Sequence, residues 1–319
     1  MAALGVLIIH YGGLGLRELF PPNSIGARVL NNLVDFGGQG PTIFFVASGY
    51  VLHKYVRNSV PNWKIFLTRY LRLAPAYTLV LWFATIVNGS LEQFSVSMFV
   101  KKLLFLDLFF KDAYEFNPIG IGYFVVVEFW LTAFLLLGPV LTLDNGLKRK
   151  IAFISIVLSS FLLSYYSHDL ATWFNIPTFH FDILKYQFFF ILGMCCVRLR
   201  LIRNVKIPAR VLAVISIVIA LNLDQYLGYV AAMFAIATLL SEDEKGSRIP
   251  LGITPIFFGN ICYSIYLLHI PMISLFQIYF AEVSIFIVVC SVITLSCLLF
   301  IIVEQPFIKI GKRFTTKAK

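Results

Sequence analysis

Two histidines stand inside apolar runs, His10 in LGVLIIHYGG and His269 in FGNICYSIYLLHIP. A neutral imidazole can take a proton near pH 7, which suits general-base work, or it can accept a transferred group as a nucleophile. The His269 run also carries Asn260, Tyr263 and Tyr266, polar groups that hydrocarbon rejects. Such residues usually face a protein interior or a wet cavity. Glu128, in GYFVVVEFWLTAF, needs a cationic partner in an apolar setting, and Arg69, Arg72 or a histidine is the natural choice. Arg69 and Arg72 form the RYLR pair, whose three-residue spacing puts both on one helix face. Two guanidinium groups there suit bidentate contacts to a phosphorylated ligand, and the alternative role is anchoring at a membrane face. Ser48, in GPTIFFVASGY, offers a hydroxyl beside the small Gly49, where close helix approach is the competing use. Glu304 lies in the tail VEQPF, next to Pro306.

These side chains need a membrane scaffold to hold them. Of 319 residues, 59% are hydrophobic and only 13% charged, and the mean hydropathy is +0.86. That balance excludes an ordinary soluble domain and predicts an all-α, polytopic transmembrane helix bundle. The apolar runs are continuous rather than alternating, which excludes a barrel. Hydropathy places about ten spans, over 1–16, 38–56, 70–88, 118–143, 151–167, 182–198, 209–223, 226–240, 253–277 and 283–303. The first is shorter than the roughly 20 residues that cross a bilayer. It reads as a helix abbreviated at its N-terminus, with no secretory leader.

Charge supplies a check independent of hydropathy. With both termini in the cytoplasm, 20 of the 26 Lys and Arg fall in inner segments, as the positive-inside rule requires. The net charge of +10 is thus mainly topology, and nucleic acid is not an expected partner. The outer segment 89–117, with Lys101, Lys102, Asp107, Lys111 and Asp112 among apolar residues, reads as an interfacial helix. The five cysteines all lie in apolar runs without metal spacing, so they read as packing residues and no metal is expected. No repeat, linker or appended domain interrupts residues 1–319, which form one unit.

In order along the chain, these motifs resemble the integral membrane acyltransferase 3 family. AALGVLIIH is similar to that family's first helix, GPTIFFVASGYVL to its Phe-Phe-Val-Leu-Ser-Gly-Phe motif, and FLTRYLRLAPAY to its Arg-x-x-Arg motif. YFVVVEFWLTAFLLLGPVL resembles its Glu-bearing segment, ILGMCC its Leu-Gly helix, FGNICYSIYLLHIP its Tyr-Leu-hydrophobic-His-x-Pro motif, and VEQPF its terminal Glu-x-Pro. The resemblance implies a multi-pass enzyme of the inner (plasma) membrane. It implies acetyl transfer from acetyl-CoA, a substrate rather than a resident cofactor, to a hydroxyl of a sugar. The acceptor is a glycan or lipid-linked sugar of the exopolysaccharide or lipopolysaccharide type. By that likeness His10 is the catalytic histidine and Arg69 and Arg72 hold the donor, with Ser48, Glu128, Tyr266, His269 and Glu304 supporting the acceptor path. Two departures stand out. The family's arginine upstream of its first-helix histidine has no counterpart here, and Tyr123 stands where tryptophan is common. They leave two alternatives open, a catalytically impaired relative and a glycolipid or polysaccharide transporter.

Overall fold

The structure is a computed structural model that describes residues 10, 21, 24–57, 60–120, 122–137, 147–173, 182–199, 253–280 and 283–315. Among them the chain is all helical, with no strand. The helices are α1 (Ile25–Gly38), α2 (Gly40–Arg57), α3 (Asn62–Val87), α4 (Val96–Leu103), α5 (Lys111–Glu115) and α6 (Tyr123–Leu137). They continue with α7 (Leu147–Tyr165), α8 (Ser167–Trp173), α9 (Asp182–Leu199), α10 (Ile253–Tyr279), α11 (Ile285–Leu299) and α12 (Gln305–Thr315). Of the expected spans, 209–223 and 226–240 lie outside the described residues, as does 1–16 apart from His10.

Among the described residues, three helices are long and apolar enough to cross a membrane: 62–87, 256–279 and the continuous stretch 285–315. The last has large apolar side chains on its outside, with Phe286 73% and Ile302 67% exposed. Its polar Ser296 and Glu304 point inward. This inverts the soluble-protein arrangement and matches a helix that faces lipid on one side and protein on the other.

Helix α3 differs from its expected span. It starts at Asn62 rather than residue 70. Hydropathy rejects NWKIFLTR for its charges, whereas the fold tolerates Arg69 two turns into the helix because that guanidinium is paired and buried. Pairing removes most of the desolvation cost that a local hydropathy sum assigns to an arginine.

Three contacts set the directions of the helices around this one. Tyr263 Oη on α10 donates to the Leu73 carbonyl of α3 at 2.9 Å. Thr68 Oγ1 donates to the Gly311 carbonyl of α12 at 3.2 Å. Arg69 meets Glu128 of α6. Because α11 and α12 descend antiparallel to α10 and end beside Thr68, α3 and α10 run parallel. Helix α6 runs against both: its Phe124 ring lies 5.8 Å from that of Tyr266, and Gly120, just before α6, touches the Ile270 side chain. Gly120 has φ +78°, a conformation suited to glycine.

Helices α2 and α9 make the closest crossing. A Cβ placed on Gly49 would collide with the Phe190 carbonyl, and one on Gly193 with that of Val46. The small residues of ASGY thus serve close approach of backbones, the use that small residues commonly have between membrane helices.

Residues 91–117 do not lie flat as an interfacial helix. They fold back alongside α3 and return. Phe94 and Phe99 pack on Trp82, then the Leu103 carbonyl accepts from Tyr70 Oη at 3.2 Å, so the segment descends from Trp82 to Tyr70. At the turn, Phe105 is fully buried against Tyr70, Tyr77 and Phe129, and its carbonyl accepts from Trp130 Nε1 at 2.6 Å. Phe105 has φ +56°, a strained conformation for a bulky side chain, and the aromatic cage holds it there. The return leg ends with Phe116 against Phe94. Lys102 and Asp107 pair inside the hairpin, 2% exposed each, which is how a charged segment is able to pack as core.

Candidate active site

The predicted site residues fall into three groups along the parallel pair α3 and α10. The first is a knot at Arg69. Its Nη1 donates to Glu128 Oε1 at 2.8 Å and its Nη2 to the Ser48 carbonyl at 2.7 Å. Ser48 Oγ donates to the same Glu128 oxygen at 2.7 Å. All three side chains are buried, and the guanidinium lies over the Phe190 ring at 5.8 Å. Ser48 is free to reach Glu128 because Gly49 lets α2 sit close to α9. Three hydrogen bonds, one of them also an ion pair, join α2, α3 and α6 at one point. Glu128 Oε2 has no hydrogen-bond partner among the described residues.

The second group surrounds Glu304. A π-helical turn, Phe300–Glu304, interrupts α11 and α12, and such single turns often occur at functional sites. It directs the Glu304 carboxylate inward, where Ser264 of α10 donates to it. Arg72 is exposed, unlike Arg69 one turn earlier, and its charge acts on Glu304, Tyr263 and Cys262. The RYLR pair therefore splits. Arg69 is committed to an internal carboxylate, and Arg72 presents its guanidinium at the surface.

The third group is the histidine pair. His269 is fully buried. Its side chain folds back on its own helix, with Nδ1 2.8 Å from the Tyr266 carbonyl and 3.2 Å from that of Ile265. The His10 ring lies 5.3 Å from the His269 ring, centroid to centroid, tilted by 41°. The Tyr266 ring is 5.9 Å from that of His269. His10 itself is exposed on its open face. His269 lies six residues beyond Tyr263 on α10, so the pair sits about 9 Å further along the bundle than the Arg72 level.

The structure thus brings together His10 with His269 and Tyr266, and Arg69 with Ser48 and Glu128. Glu304 stands apart with Arg72. Sequence reasoning missed Ser264 and Tyr263 as fasteners. Their signal was present, since a hydroxyl in an apolar span seeks a partner, but the partners lie 40 and 190 residues away. Among the described residues no cluster of His, Cys, Asp and Glu is arranged to hold a metal ion.

A search of curated proteins and one of solved structures found no match to the chain. A family model described as an acyltransferase domain, that of acyltransferase family 3, matches residues 1–303. The histidine pair, the Arg-x-x-Arg helix and Glu128 lie within that match, with Glu304 one residue beyond it, and the chain belongs to the acyltransferase 3 family, membrane enzymes that transfer acyl groups other than amino-acyl groups.

Proposed function

We propose that the chain transfers an acetyl group from acetyl-CoA to a sugar hydroxyl of an exopolysaccharide, lipopolysaccharide or related glycoconjugate, at the inner membrane. The observation that carries this reading is the His10 ring, open on one face and backed by His269, about 9 Å along the bundle from an exposed arginine. A donor gripped by its phosphates at one level must project its thioester to the other, and the long, flexible arm of coenzyme A has that reach. The end of the bundle with Asn62 and Thr315 carries Lys64, Lys309, Lys312 and Arg313. That concentration of positive charge favours both a cytoplasmic orientation and anionic phosphates.

In the proposed step the acceptor hydroxyl oxygen attacks the thioester carbonyl while His10 removes its proton. The new C–O bond forms, the C–S bond breaks, and the proton passes from His10 to the departing sulfur, giving free CoA. Base assistance of this kind is worth roughly 100- to 10,000-fold. Arg72 meets the donor phosphates. Arg69, Glu128 and Ser48 fix the helices around it, and Tyr266, His269 and Glu304 line the path.

Two measurements test the reading. Purified protein is incubated with labelled acetyl-CoA and a glycan acceptor, and the surface glycans of cells with and without the gene are compared by mass. Label on the acceptor, free CoA and one lost acetyl increment in the deleted strain support it. Movement of glycan across the membrane without CoA release identifies a transporter and overturns it.

A further inference from the structure

His269 has a fixed tautomer. Its Nδ1 faces two carbonyl oxygens, Tyr266 and Ile265, and a carbonyl only accepts. Nδ1 therefore carries the proton, and in the neutral ring Nε2 is left with a lone pair. That Nε2 is buried and without a partner among the described residues. An acceptor stripped of water and left unmet is costly, and each such group in a native fold calls for an explanation.

His10 is the donor in reach. Two imidazoles joined by a linear N–H···N bond have ring centroids about 5.2 Å apart, from a nitrogen separation of about 2.9 Å plus the two ring radii. The observed spacing is 5.3 Å. In the structure that bond is open, and closing it takes a turn of the exposed His10 ring about its side-chain torsions. Tyr266, on the same helix, has its ring 5.9 Å from that of His269.

We propose that His269 is a positioning residue for His10: its Nε2 accepts one N–H of His10 and so leaves the other His10 nitrogen unprotonated, aimed into the open face as the base. This rests on the proposed acyl transfer. When His10 takes the acceptor's proton, its N–H···Nε2 bond becomes charge-assisted and stronger. The gain appears as the proton moves, so it lowers the barrier rather than tightening substrate binding.

The test uses two amides that mimic one ring nitrogen each. In His269→Asn the side-chain amide keeps a donor near the two carbonyls and leaves nothing at the Nε2 position. In His269→Gln the longer side chain returns an acceptor there. Both are compared with wild type in the full-length protein, at equal amounts in detergent, for kcat, donor KM and the pH profile of kcat/KM. The expected result is a kcat lower by about 10- to 100-fold in the Asn variant, the worth of a charge-assisted hydrogen bond at the transition state. Its donor KM stays unchanged, and its acid limb moves down by about one pH unit, because the imidazolium has lost its acceptor. The Gln variant recovers most of the rate and the profile. Equal rates and profiles in the two variants would overturn the proposal. His10→Ala is run alongside: if it still transfers acetyl, the reading of His10 as base fails, whereas loss of activity in His10→Ala with matched Asn and Gln variants removes only the role of His269.

Discussion

Removing the Glu128 carboxylate should damage the protein more than removing both members of its ion pair. In Glu128→Leu, Arg69 keeps its bond to the Ser48 carbonyl but loses its counter-ion, and Ser48 Oγ loses its acceptor. The guanidinium is then a buried charge without a counter-ion, with the Ser48 carbonyl and the face of Phe190 as its remaining favourable contacts. Breaking a buried pair from one side typically destabilises by about 3–5 kcal/mol. Glu128→Gln keeps an acceptor oxygen for Arg69 and Ser48 and gives up only the charge, so it should lose about 1–3 kcal/mol. In Arg69→Met with Glu128→Leu no charge remains buried, and apolar replacement of a buried pair is often neutral or stabilising by about 1–4 kcal/mol. The predicted order of stability is therefore double variant at or above wild type, then Glu128→Gln, then Glu128→Leu. Thermal unfolding in detergent reads it out, followed with a thiol-reactive dye, since Cys262 is half-buried on α10. A double variant no more stable than Glu128→Leu would refute the argument that an unpaired guanidinium is the source of the damage. Activity gives an independent reading. If Arg69 acts by holding helices together, the folded double variant keeps a near-normal KM for the donor.

Arg72→Ala should raise the donor KM about tenfold or more, the worth of one charge-assisted hydrogen bond to a phosphate, with stability unchanged because the side chain is exposed; an unaltered donor dependence would leave Arg72 as a membrane anchor only. Gly49→Ala should prevent the α2–α9 crossing, since its Cβ meets the Phe190 backbone rather than a movable side chain. A loss of about 1–3 kcal/mol or more is expected in the same unfolding assay, and wild-type stability would mean that the two helices are able to separate.

Much of this architecture is written locally in the chain. The continuous apolar runs give helices at α2, α10 and α11, and the small residues of ASGY announce a close crossing. The site motifs are equally local: His10, Arg69, Arg72, Glu128 and His269 stand out because hydrocarbon does not accept them alone. What cannot be read locally is which of them meet. Arg69 was excluded from its span by hydropathy, yet Glu128, 59 residues on, brings it inside. The hairpin 91–117 was read as lying on the membrane surface because its charges are counted one at a time. Lys102 and Asp107 cancel each other, and the aromatic cage about Phe105 supplies the rest of the packing. The RYLR spacing predicts one helix face for both arginines, whereas the structure buries Arg69 and exposes Arg72. Their different fates follow from the neighbours, since a carboxylate faces Arg69 while Arg72 reaches the surface near the Glu304 turn.

The most direct test of the account is acetyl transfer by His10→Ala, measured with labelled acetyl-CoA at membrane levels equal to those of the wild-type protein. The account predicts that product acetylation disappears while the variant remains in the membrane and still binds the donor. Normal acetylation of the product by that variant would contradict it.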